Sequence, residues 1–151
     1  MKKFYYILFI VTMLGMALAS CGDDDDKPVK PDDDVTIESL DQSENDAHFK
    51  FDINTSKDSS SIYIYNTKFS EQMPVTVNIR IDAPCTADKT GKVYTFAGTD
   101  IIPYMMREGT PVPAPSYVIT NLTSTVDTKN KTFNIFFNCH GGEYSKSGKL
   151  K

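Results

Sequence analysis

Few side chains in this sequence could do chemistry. There are two histidines, His48 and His140, and three cysteines, Cys21, Cys85 and Cys139. A histidine beside a carboxylate can act as a general base. His48 follows Asp46 and His140 precedes Glu143, but neither spacing puts the pair on one regular face. Both are expected to be surface histidines. Cys139-His140 could act as a nucleophile or bind metal. Two ligands do not complete a zinc site, however, and Cys139 falls on the inward parity of its strand. Asp52, Asp58, Asp82, Asp100 and Glu108 fall mostly at outward or loop positions. Glycoside hydrolysis needs two carboxylates facing each other across a cleft, and nothing here places them so. A Gly-x-Ser-x-Gly turn, a P-loop and a dinucleotide glycine fingerprint are all absent. The sequence predicts no catalytic residue, no metal and no cofactor.

Cys21 has the most specific setting. Lys2 and Lys3 precede an apolar stretch, Phe4 to Leu18, broken only by Thr12 and Gly15. That is the layout of a secretory signal peptide, with a membrane-spanning anchor as the alternative. Leu18-Ala19-Ser20-Cys21 resembles the lipobox of bacterial lipoproteins. The resemblance implies cleavage before Cys21 and acylation of its thiol, which would hold the protein on a membrane. Asp23, Asp24, Asp25 and Asp26 follow directly. This run resembles the acidic export signal of Bacteroidetes lipoproteins and implies display on the outer face of the outer membrane. The alternative is a solvated, self-repelling spacer.

Residues 22–34 hold seven Asp and two Lys, with Pro28 and Pro31. Such a composition cannot bury a core and reads as a disordered tether. The expected organisation is a signal peptide over 1–20, a lipidated tether over 21–34 and one domain over 35–151. That domain carries 12 Lys plus Arg against 13 Asp plus Glu. It therefore has no basic field for nucleic acid. Cys85 and Cys139 remain after Cys21 is assigned to lipid. A disulfide between them is permitted in an oxidising compartment, and two separate thiols are the alternative.

The elements that must position these residues are strands. Phe49, Phe51 and Ile53 alternate with Lys50 and Asp52; Val75, Val77, Ile79 and Ile81 alternate with polar residues; so do Phe133, Ile135, Phe137 and Cys139. Period two with one apolar face predicts half-buried strands. Weaker strands are expected over 35–40, 61–69, 92–98, 116–126 and 143–150. Polar turns at 56–59, 88–91 and 127–130 separate them, with Gly91 and Asn130 suited to positive φ. Short connections predict an all-β, antiparallel, up-and-down meander of seven or eight strands. It would close into a small barrel or form a two-sheet β-sandwich. The segments Tyr94 to Pro103 and Tyr117 to Leu122 resemble the small calycin-like, lipocalin-like lipoproteins of Bacteroidetes, and that resemblance implies the barrel.

Thr99 to Pro115 breaks the pattern. Pro103, Pro111, Pro113 and Pro115 exclude a regular central strand. Yet the segment also holds Ile101, Ile102, Tyr104, Met105 and Met106. It is expected either to plug one end of the barrel or to form an adaptable binding lip. Tyr63, Tyr65, Tyr94, Tyr104, Tyr117 and Tyr144 could stack on sugars or planar ligands, or pack across strands. The expected function is a non-enzymatic binding or scaffolding module of the cell envelope. Its partners would be the membrane, through Cys21, and a small apolar ligand or an envelope protein. The alternatives are a carrier of a small apolar ligand and, with least support, a hydrolase.

Overall fold

The computed structural model describes residues 34–40, 46–69 and 73–151. The signal segment, Cys21 and Asp23 to Asp26 lie outside the described residues. Within them the chain forms eleven strands and one short 3-10 turn, Pro115–Tyr117. The strands are β1 (Val35–Glu38), β2 (His48–Ile53), β3 (Ser60–Thr67), β4 (Val77–Ala83), β5 (Cys85–Ala87) and β6 (Val93–Gly98), then β7 (Tyr104–Arg107), β8 (Thr110–Pro113), β9 (Ile119–Asp127), β10 (Thr132–Cys139) and β11 (Gly142–Lys149). They make a six-stranded sheet in the order β1-β2-β3-β4-β7-β8 and a five-stranded sheet in the order β11-β10-β9-β6-β5. Every pairing is antiparallel.

The closed calycin-like barrel and the simple up-and-down order are therefore not formed. The fold is the alternative, two packed sheets. The chain changes sheet three times: at Pro84 between β4 and β5, at residues 99–103 and at residues 114–118. Prolines mark each of these crossings. A ring nitrogen cannot donate to a ladder, so a strand that meets one tends to leave its sheet. On the opposite side, Ser39 pairs with Leu150 and the Leu40 N–H donates to the Lys149 carbonyl. This bridge ties β1 to β11 without merging the sheets.

The alternating apolar residues fill the space between the sheets as their period requires. Phe49, Phe51, Ile62, Ile64, Ile79 and Ile81 from the first sheet meet Phe96, Val126, Phe133, Ile135 and Phe137 from the second. The Phe51 ring packs on Phe96 and Phe133 at 6.2 and 5.5 Å. At one end the Tyr144 and Thr67 hydroxyls form a buried hydrogen bond of 2.9 Å between the sheets. The two tightest hairpins turn on Glu108-Gly109 (φ 50° and 80°) and His140-Gly141 (φ 51° and 79°). Positive φ at both central residues matches the twist of the flanking strands. In the turn after β9 the positive φ falls on Lys131, not on Asn130. Asn130 instead donates its backbone N–H and its side-chain amide to the Asp127 carboxylate.

The segment from Thr99 to Pro115 plugs no barrel end, because no closed barrel forms; most of it is an edge hairpin. Ile101 pairs with Ile119 at the end of the second sheet. The chain then crosses to the first sheet and forms the β7–β8 hairpin on its edge. Ile101 leans on the core, whereas Ile102, its neighbour of opposite parity, is 46% exposed. The burial expected of Ile102 is thus corrected by strand alternation. A methyl group at Gly98 would lie 2.8 Å from Ile101 Cδ1. Gly98→Ala should accordingly cost no more than about 1 kcal/mol, because the tip of the partly buried Ile101 side chain can turn aside to admit it. Urea unfolding measures this, and a loss of several kcal/mol would refute the mobility of the Ile101 side chain.

β8 carries Pro111 and Pro113. The two-residue turn makes Arg107 and Thr110 a hydrogen-bonded pair, and bonded and non-bonded pairs alternate along the hairpin. Both prolines thus fall at non-bonded positions, with their nitrogens pointing away from β7. The outer edge of this sheet presents carbonyl oxygens and no N–H at those two positions.

Candidate functional site

The first sheet is wider than the second, and its β7–β8 edge overhangs. Met105 pairs with Ile79 next to the core, and Val112 pairs with Met105. These two residues share the inward face of the hairpin. The second sheet ends in β5, which is three residues long, and Val112 remains 39% exposed. Val77, Met105, Val112, Pro113 and Tyr117 consequently line an open groove of about 730 Å³. Asn66, Thr76, Asn78 and Ser116 add polar groups, and Arg107 is the only charged lining residue. The Tyr117 ring is held against Phe69 and His140, at 6.1 and 5.7 Å.

Of the candidates named from the sequence, Met105 and Met106 line this groove. Ile101 and Ile102 do not line it. Tyr104 stands on the outer face, with the Arg80 guanidinium over its ring at 4.5 Å. It belongs to a cross-strand row, Glu38, Lys50, Tyr63, Arg80, Tyr104. There Lys50 Nζ sits over the Tyr63 ring at 5.0 Å. Lys50 is also paired with Asp52 at 2.9 Å and Arg80 with Asp82 at 3.0 Å. Tyr63 and Tyr65 stack on each other at 6.2 Å, and His48 stacks on Tyr65 at 5.9 Å. Cross-strand packing thus occupies these rings. Tyr94 and Tyr144 are buried in the core.

His48 has a partner that the sequence did not suggest. Its Nδ1 lies 3.1 Å from Ser39 Oγ, and its Nε2 lies 4.0 Å from a Glu38 carboxylate oxygen. These are the three side-chain types of a nucleophilic triad. However, Ser39 is 5% exposed, and its Oγ already accepts the Phe49 backbone N–H at 2.9 Å. The arrangement secures the end of β1 where it meets β11. His140 is exposed in its turn. Among the described residues no three His, Cys, Asp or Glu side chains are grouped to hold a metal ion.

Cys85 and Cys139 are free and buried, so the disulfide is corrected. β5 and β10 are separated by β6 and β9. Three strand spacings amount to about 14 Å, whereas a disulfide needs Cα atoms about 4.4–6.8 Å apart. Equal inward parity put both thiols in the core but could not report this lateral separation. Burial pushes the Cys85 thiol up to about 11, and Cys139 is raised by the same cause. Both thiols should therefore resist a maleimide reagent near neutral pH and react on unfolding. Rapid modification of the native protein would contradict this placement.

Comparison with family models, with curated proteins and with solved structures finds no match.

Proposed function

We propose that this chain is a lipid-anchored, non-catalytic binding module of the outer membrane surface, with the β7–β8 groove as its binding site. The observation that carries this reading is the uncovered apolar inner face of the hairpin. The groove is concave and sets this apolar patch among polar groups in similar measure, and a concave site with converging polar groups is the usual place for a small molecule. Met105, on the inward face beside Val112, brings a side chain that adapts to irregular shapes. The address rests on the Leu18-to-Cys21 motif and the Asp23-to-Asp26 run.

The geometry is compatible with display. Asp34 meets Asn54 and Lys57 beside the β2–β3 turn. The hairpin tip at Glu108-Gly109 lies beyond Val77, at the opposite end of β4. A tether arriving at Asp34 thus leaves the groove at the far end of the domain.

The test uses a neutral, fluorescent apolar dye such as Nile red. The parent protein should bind it. Val112→Asp, at an exposed position, should reduce that binding about tenfold or more, because it places a charge in the apolar groove. Its melting temperature should stay unchanged. Equal dye binding by parent and variant would remove the groove from the proposal. Cys21→Ser should separately release the protein from membranes on fractionation, and unchanged retention would refute the lipid anchor.

A further inference from the structure

We infer that the groove takes an amphiphile, a molecule with an apolar body and a single anionic head, and that Arg107 holds the head. This rests on the proposal that the groove is a binding site and names the chemistry of its ligand. Arg107 ends β7, two residues after Met105. Residues two apart on a strand share a face, so Arg107 continues the line of Met105 and Val112 toward the hairpin tip. It is exposed, and no acidic residue lines the groove with it. The nearest acid in the chain, Glu108, occupies the turn at φ 50°. The other cation of this half of the sheet, Arg80, is committed to Asp82 and Tyr104 on the opposite face.

The groove therefore combines an apolar patch, Met105 and Val112, with uncharged polar groups, one cation and no lining carboxylate. An uncharged apolar ligand would satisfy the patch and leave the guanidinium to water. A cationic ligand would be repelled. An anionic head satisfies both, because the planar guanidinium offers paired donors that match carboxylate or phosphate oxygens. The polar residues Asn66, Thr76 and Asn78 lie on the β3–β4 side of the groove. The Asn66 backbone N–H donates to Asn78 Oδ1 at 2.8 Å, and none of the three adds charge to the groove.

The experiment titrates the full chain with dodecanoate and with its neutral methyl ester, both below their aggregation limits, by calorimetry. The parent should bind dodecanoate at least tenfold more tightly than the ester. Arg107→Gln should lose about tenfold for dodecanoate, the scale of one charge-assisted hydrogen bond, and bind the ester as the parent does. Dodecyl phosphate in place of dodecanoate distinguishes the two head chemistries, and tight, Arg107-dependent binding of either supports the inference. Equal binding of dodecanoate and ester by the parent, or no effect of Arg107→Gln, would overturn the anionic head while leaving the groove intact. Failure of every probe together with Nile red would overturn the groove itself, and the inference with it.

Discussion

Phe51→Ala is expected to lower the unfolding free energy by about 3–5 kcal/mol, the usual cost of emptying a large aromatic site. Phe51 is fully buried and packs across the interface between the sheets, against Phe96 on β6 and Phe133 on β10. Removing the ring deletes its own transfer energy and leaves a cavity that backbone hydrogen bonding on both sides keeps from collapsing. Guanidinium unfolding should show a lower midpoint with an unchanged slope. Ile102→Asp is the internal control. Ile102 points outward, so the change should move stability by less than about 0.5 kcal/mol. A large effect at Ile102 with a small one at Phe51 would mean that the apolar segment after Gly98 packs in the opposite sense.

Alkaline pH should unfold the protein well before backbone chemistry intervenes. Burial raises Cys85 from 9.0 to about 11 and Tyr144 from 10.0 to about 12. For Tyr144 the Thr67 hydrogen bond opposes the shift only in part. Both groups are neutral in the folded state and ionise more readily when unfolded. The stability they contribute is fully present below pH 9. It is lost as pH rises through about 9–11 for Cys85 and about 10–12 for Tyr144. Each removes up to about 1.4 kcal/mol per pH unit within its window. Cys85→Ala and Tyr144→Phe should each flatten their own part of the curve. Tyr144→Phe should also cost about 1–3 kcal/mol at neutral pH, because the Thr67 hydroxyl loses its buried partner. A flat stability curve from pH 8 to pH 12 would contradict the burial of both groups.

Local periodicity made most strands legible. Phe49-Phe51-Ile53 and Phe133-Ile135-Phe137-Cys139 alternate strictly, and both lie in strands with the expected face inward. Sheet membership was not legible, because alternation states which residues face inward and never which sheet they leave from. Pro84 was visible, but that the chain continues from β4 into the other sheet as β5 depends on packing distant in sequence. The hairpin from Tyr104 to Pro113 was obscured by its prolines, which read as a loop. Its signal was Glu108-Gly109, a two-residue turn between short alternating runs. For the groove, Met105 and Met106 stood out by type. Val77, Val112 and Arg107 did not, because an overhang follows from the unequal widths of two sheets. Ser39 beside His48 was equally invisible, since the β1–β2 register that brings them together is set across a connection with no turn signal of its own.

The prolines of β8 bear on how copies of this protein tolerate one another. An open sheet edge is a template for strand exchange, and crowding multiplies encounters between edges. Addition of a strand needs donors and acceptors in alternation. At Pro111 and Pro113 the edge offers acceptors alone, so two such edges brought together face carbonyl to carbonyl. The hairpin that borders the groove is in this way closed to its own kind. A concentrated population of these domains can stay dense without polymerising through that side.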